Sequence, residues 1–230
     1  VVNISVTTAT PDDNANLAAF LTHSPEQSEW GRLRALYGMP EPVKVFCFEI
    51  GNEIDYNNEE GKWTFSQKKL DWYTEIAPKH IEAIRAVCPD AKFAMCGKTA
   101  PWEQLSSLSK WTEGVAAAIG KDCHYLSFHP YYDGMTSVYI MKCYDIMAES
   151  LNKTLGEGHG IKILATEHAR YHATGLDGGG RINLFSALST AQFFNLAMKR
   201  NDVAGATYHS LFDGLTDSRW WAHVQYTDGR

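Results

Sequence analysis

Val43-Lys44-Val45-Phe46-Cys47-Phe48-Glu49-Ile50-Gly51-Asn52-Glu53-Ile54-Asp55 carries an apolar, β-prone run straight into polar and ionisable residues. A second stretch, Ile161-Lys162-Ile163-Leu164-Ala165-Thr166-Glu167-His168-Ala169-Arg170, repeats the arrangement and delivers Glu167 at the end of its apolar run. Short runs that are apolar almost throughout belong to parallel sheets covered on both faces, where neither side of the strand meets water. Similar runs stand at 1–6, 92–96, 124–129 and 204–209. Between them lie longer stretches with apolar residues at helical spacing, at 11–21, 66–87, 102–119, 137–155 and 181–199. Asp12 and Asp13 suit a helix start and Ser66 an N-cap, while Pro89, Gly120 and Gly156 suit helix exits.

Strand and helix therefore alternate, the pattern of βα units in an α/β protein. A closed (β/α)8 TIM barrel needs eight strands and ~250 residues. The six runs counted here predict an incomplete barrel holding strands three to eight, with an open sheet as the alternative. Nothing along the chain reads as a linker, a repeat or a low-complexity tract, so residues 1–230 are expected to form one partial catalytic barrel without a second domain. Position 1 is Val rather than Met, and neither a basic n-region nor a cleavage site is visible. The natural start is expected to precede it, and no compartment is indicated.

The 230 residues are 44% hydrophobic and 21% charged, enough apolar material for a core. A net charge of −6 gives no electrostatic footprint for a nucleic-acid backbone or an anionic membrane, so neither is an expected partner. No run approaches the ~20 apolar residues of a membrane span. Cys47, Cys88, Cys96, Cys123 and Cys143 form no CxxC pair and read as small buried hydrophobes. Self-association is left open.

Barrel enzymes place their chemistry at the carboxyl ends of strands, where Glu53 and Glu167 stand. Glycoside hydrolysis needs such a pair, one carboxyl protonated to serve the leaving oxygen and one ionised to attack. The two roles require split pKa values. Glu53 is expected to be held protonated by burial and by the charge of Glu167, and Glu167 to stay ionised beside Arg170 or His168. Asn52 supplies an amide for a neighbouring sugar hydroxyl. Either glutamate alone is equally well an ordinary helix-start carboxylate or ion-pair partner; their joint occurrence points to an enzyme.

Gly51-Asn52-Glu53 after one strand and Thr166-Glu167-His168 after a later one resemble the clan A glycoside hydrolases, with the acid/base after the fourth barrel strand and the nucleophile after the seventh. Val2-Asn3-Ile4-Ser5-Val6, Pro11-Asp12-Asp13, Trp30-Gly31-Arg32-Leu33-Arg34, Phe48-Glu49-Ile50-Gly51-Asn52-Glu53 and Ala206-Thr207-Tyr208-His209-Ser210 are similar, in order, to the α-L-arabinofuranosidases of glycoside hydrolase family 51. The resemblance implies a retaining double displacement on α-L-arabinofuranosyl residues of plant-type polysaccharides or oligosaccharides, with Glu53 the acid/base, Glu167 the nucleophile, Asn52 a hydroxyl-binding group and Tyr131 a hydrogen-bond partner of the nucleophile. It implies no cofactor. Phe48 and His168 stand where members of the family usually carry Trp, and His168 bears on which sugar is accepted.

Glu49 shares strand parity with Glu53 and is expected to be a buried, hydrogen-bonded interior group. His129, Tyr131 and Tyr132 end the 124–129 run and read equally as pocket wall or loop packing. His209 is a pocket candidate or a core histidine, and Trp220 with Trp221 a sugar platform or former core. The nine His include no HExxH, and adjacent Glu167-His168 lacks helical ligand spacing, so no catalytic metal is expected. Gly178-Gly179-Gly180-Arg181 precedes a helix and, with Lys98 as a strand-end amine, supports a rival phosphosugar-handling barrel. A xylosidase, an endoglucanase and a catalytically silent carbohydrate-binding chain complete the alternatives.

Overall fold

The computed structural model describes residues 1–56, 65–99, 105–132, 137–170, 184–209, 212–213 and 224–225. The expectations attached to Gly178, Gly179, Gly180, Arg181, Trp220 and Trp221 lie outside them. In chain order the elements are β1 (Val2–Ile4), α1 (Pro11–Thr22), α2 (Glu29–Leu36), β2 (Phe48–Ile50), α3 (Gln67–Val87), β3 (Phe93–Met95), α4 (Leu105–Ile119), β4 (Tyr125–Phe128), β5 (Tyr131–Tyr132), α5 (Ser137–Leu155), β6 (Lys162–Arg170), α6 (Leu184–Ala197), β7 (Val203–Tyr208), β8 (Phe212–Asp213) and β9 (Val224–Gln225).

The six expected strands pair in parallel and in sequence order, β1-β2-β3-β4-β6-β7, while two-residue β5 adds beside the end of β6. The sheet is curled. In a flat sheet, β2 and β6, three places apart, would stand roughly 14 Å from one another. Yet the Thr166 hydroxyl on β6 donates to Glu49 Oε1 on β2 at 2.9 Å. A parallel sheet curled until its inner face meets itself, with helices outside, is a partial (β/α)8 barrel.

Two apolar layers follow. The outward side chains of the strands, among them Phe48, Ile50, Phe93, Met95, Leu126, Phe128 and Ile163, pack against the helices in one large core. Inside the curl, Cys47, Ala94 and Leu164 form a small apolar plug with Tyr125 and Ala204 against it. Polar residues occupy the interior above that plug.

Local signals explain most boundaries. Thr10 caps α1 with a reciprocal Thr10–Asp13 box and Pro11 opens the helix. Ser66 caps α3, as expected. The ladder of β2 begins at Phe48 rather than at Val43, because Val43 and Phe46 are exposed and regular pairing starts only where Phe48 N–H reaches Lys92 O. Helix α2 was not anticipated: it is short, polar and interrupted by Gly31, whose backbone lies so close to Ser24 that a Cβ there would meet the Ser24 carbonyl oxygen at 2.1 Å. Its Arg34 is buried and donates to the carbonyls of Leu21, Met39 and Pro40, closing the turn into β2.

Where β2 and β3 diverge, the helices supply the missing partners. The Tyr73 hydroxyl donates to Ile50 O and accepts from Cys96 N–H, both at 2.8 Å. Trp111 Nε1 donates to Cys96 O at 3.0 Å. These contacts set the strand ends from which the next residues enter the interior. All five cysteines are free and four are buried, as expected of packing residues.

Candidate active site

Gly51 has φ +87 and a Cβ there would press on Ile54, so the turn after β2 is built around a missing side chain. Glu53 follows with φ +49, the left-handed region that a glutamate enters only when its surroundings hold it there. The Asn3 amide at the end of β1 donates to Gly51 O at 3.1 Å and to Asn52 Oδ1 at 3.5 Å, orienting Asn52 beside the same turn. Glu167 arrives on β6 and His129 one residue past β4.

His129 is the centre of the arrangement. Its Nδ1 lies 3.2 Å from Glu53 Oε1 and 3.9 Å from Glu167 Oε2. Its Nε2 is 3.0 Å from the Thr166 hydroxyl and 3.5 Å from Glu49 Oε1. One ligand atom from each of Glu53, His129 and Glu167 lies within 4.8 Å of the others. His209 Nε2, just past β7, approaches Glu167 Oε1 at 4.0 Å. Tyr131 sits on β5 opposite Ala169, two residues beyond Glu167. Sequence therefore named Asn52, Glu53, His129, Glu167 and His209 in one place, and Tyr131 at its edge.

Charge is apportioned unevenly. Burial alone would strip the proton from His129, but hydrogen bonds to Glu49 and Glu53, with the charges of Glu49 and Glu167, push its pKa up to about 10. Burial works in the opposite sense on Glu49, yet His129, Ser127 and Thr166 hold its carboxyl below the ordinary range. Glu49 and His129 thus form an internal ion pair, with Thr166 relaying a hydrogen bond between them. Glu49 is the buried, satisfied interior group its strand parity implied.

Glu167 corrects two expectations. Burial raises its pKa, and the pull of His129 and His209 does not offset this, with Glu53 and Glu49 adding to the rise. Its basic neighbours are those two histidines, not His168. That residue is fully buried on the other side of β6, its Nδ1 3.2 Å from the Tyr132 hydroxyl and its ring packed on Phe193 and Phe194. The departure at His168 lies in the helix layer, away from the site, and Tyr132 joins it there rather than the pocket wall. The Arg170 side chain lies outside the described residues.

Lys98, weighed as a strand-end amine, is buried and ion-paired to buried Asp55 at 2.8 Å. As for metals, a protonated His129 offers no lone pair, so an ion on Glu53, His129 and Glu167 would first have to displace its proton. Sequence reading missed Asn3, Ser127 and Thr166 as supports. Their signal was parity, since each falls on the interior face of its strand near the carboxyl end.

A family model described as the Alpha-L-arabinofuranosidase 1 domain matches residues 3–145. The chain belongs to this family. The match takes in Asn52, Glu53, His129 and Tyr131; Glu167 and His209 lie beyond it, and the fold brings them to the others. Among curated relatives of the family, an intracellular exo-alpha-(1->5)-L-arabinofuranosidase of Acetivibrio thermocellus is 29% identical over 122 residues, 52% of this chain and 22% of that protein. One from Bacillus subtilis strain 168 is 27% identical over 133 residues, 57% of this chain and 25% of that protein. Among solved structures, an alpha-L-arabinofuranosidase from Thermotoga maritima in an arabinose complex covers 89% of this chain at TM-score 0.69 and 19% identity, the match spanning 42% of that chain. The GH51 arabinofuranosidase of Xanthomonas axonopodis pv. citri covers 89% at TM-score 0.68 and 16% identity, spanning 44% of that chain. The chain spans about a quarter of the curated relatives it matches and under half of these structures. The likeness establishes the barrel fold.

Proposed function

We propose that residues 1–230 form a catalytic barrel unit of a retaining α-L-arabinofuranosidase, with Glu167 as nucleophile and Glu53 as acid/base. The observation that carries this reading is the approach of Glu53 and Glu167 carboxyl oxygens to within 4.8 Å, with His129 in contact with both. Retaining glycosidases hold their carboxyl groups about 5 to 5.5 Å apart, whereas inverting ones leave roughly 6.5 to 9.5 Å for a water, and an approach of single oxygens to within 4.8 Å supports the former.

The Glu49–His129 pair is neutral as a unit, and for the first step the proton is assigned to Glu53 and the charge to Glu167, which faces His129 at 3.9 Å and His209 at 4.0 Å. A Glu167 oxygen attacks the anomeric carbon as the bond to the leaving oxygen breaks, and that oxygen takes the Glu53 proton. Glu53 then removes a proton from water, whose oxygen displaces Glu167 and frees the sugar. Asn52 and His209 are assigned to sugar hydroxyls, and Tyr131 to a hydrogen bond with the nucleophile. No cofactor or metal enters any step. The substrate is a neutral carbohydrate, and a nucleic-acid partner is not expected of a chain with net charge −6. Among the described residues no helix is long and apolar enough to cross a membrane.

The names of the relatives support an arabinofuranosyl group at the non-reducing end. The buried Asp55–Lys98 pair disfavours the phosphosugar rival, because that amine is already held by a carboxylate. Incubation with an arabinofuranose-shaped reagent that traps glycosidase nucleophiles, followed by peptide mass spectrometry, tests the reading. A label on Glu167 is expected. A label on another carboxylate, or unimpaired turnover by Glu167→Gln, sinks it.

A further inference from the structure

The strained turn that carries Glu53 is tied to the next strand by charges deeper than the site itself. Two residues after Glu53, the Asp55 carboxylate is fully buried and accepts three hydrogen bonds: from Lys98 Nζ at 2.8 Å, from Thr99 N–H at 3.0 Å and from the Thr99 hydroxyl at 2.9 Å. Lys98 is only 4% exposed. Both donors follow Gly97, whose own approach to β4 is so close that a Cβ would fall 1.7 Å from Ser127 O. Thr99 in turn forms an isolated parallel bridge with His129. Tyr56 N–H donates back to Glu53 O at 3.1 Å, closing the turn over residues 53–56.

These contacts form a ring: Glu53 side chain to His129, His129 backbone to Thr99, Thr99 and Lys98 to Asp55, and Asp55 through Ile54 back to Glu53. A buried ion pair adds little net stability beyond an apolar replacement, so its place beside Glu53 calls for another explanation. A left-handed glutamate is disfavoured by its own Cβ and persists only where neighbours over-determine it. We infer that Asp55, Lys98 and Thr99 are positioning residues, a clamp that holds Glu53 in its left-handed backbone and thereby sets the acid/base carboxyl on His129 and the leaving oxygen. This rests on the assignment of Glu53 proposed above.

The test separates proton delivery from general damage. kcat/KM is measured for Lys98→Met, Thr99→Val and the charge-neutral double variant Asp55→Asn with Lys98→Met. Two substrates are used: 2,4-dinitrophenyl α-L-arabinofuranoside, whose leaving group needs no proton, and an α-(1→5)-linked arabinobiose, whose leaving group does. Misplacing a general acid by about 1 Å costs roughly 100-fold. That loss is expected on the disaccharide for Lys98→Met and the double variant, with a change below about threefold on the dinitrophenyl glycoside, a smaller loss for Thr99→Val, and acceleration of dinitrophenyl turnover by azide. The double variant leaves no buried charge unpaired, and its near-ultraviolet circular dichroism reports folding. Equal losses on both substrates, or none on either, overturn the clamp while leaving Glu53 as the acid/base. Absence of turnover of both substrates by the unsubstituted protein overturns the glycosidase reading and the clamp with it.

Discussion

Glu167 and His168 are consecutive residues of β6 that face opposite sides of the sheet. Glu167 enters the barrel interior, where its charged neighbours are His129 at 3.9 Å and His209 at 4.0 Å. His168 enters the helix layer, its ring 4.5 Å from that of Phe193 and 4.9 Å from that of Phe194. Across the sheet the contrast extends to the two buried histidines: His129 sits among three carboxylates, His168 among aromatic rings. Burial is nearly the same for both, at 3% and 0% exposure, so burial does not decide what each does. The groups packed around each imidazole decide it.

The largest expected effect tests that division at β6. Glu167→Gln should lower kcat by at least about 10⁴-fold, measured on an aryl arabinofuranoside, because the proposed nucleophile has no substitute. Its melting temperature should change little or rise, since the variant removes a carboxyl that burial already disfavours as a charge. Phe193→Ala, on the other side of the same strand, should do the reverse. Urea unfolding should show a loss of about 3 to 5 kcal/mol from the cavity left beneath His168 and Tyr132, with the kcat of the folded fraction unaltered at low temperature. A shifted pH–rate profile in Phe193→Ala would break the comparison by showing that the two faces communicate.

His129→Ala should cost about 3 to 5 kcal/mol at neutral pH, because Glu49, Glu53 and Glu167 lose the cation between them. The sign with pH sharpens the point. The folded pKa of His129 is raised to about 10 from an unfolded value near 6.5, so its stabilisation is complete below about pH 6.5 and is lost as pH rises toward 10. Denaturant midpoints of the unsubstituted protein should fall across that window, and those of His129→Ala should fall less. The smallest effect is expected from Thr166→Val, which keeps the side-chain shape and removes the hydroxyl between His129 and Glu49, for a loss of about 1 kcal/mol by the same measurement.

Residues with a local cause were legible in the sequence. The capping box of α1, the Ser66 cap and the alternation of apolar runs depend on neighbours a few positions away, and they gave the barrel in outline. The start of β2 was misplaced because Val43, Val45 and Phe46 look like strand, whereas the ladder begins where Lys92, a distant residue, supplies its carbonyl. The two carboxylates could be named because each stands at the end of its own apolar run. The role of His129 could not: its partners Glu49, Glu53 and Glu167 come from two other strands, and only the curl of the sheet collects them. The Asp55–Lys98 pair spans 43 positions and was equally invisible.

With Glu53 as the proposed acid/base, its left-handed backbone sets heat tolerance against turnover at a single codon. Glycine, which enters that conformation freely, would relieve the turn, and asparagine would relieve part of it, yet neither side chain delivers a proton. Selection for survival of heating alone should therefore drift toward the residues that silence the protein, and a screen for thermostable variants must assay catalysis in the same round or it will enrich its own failures.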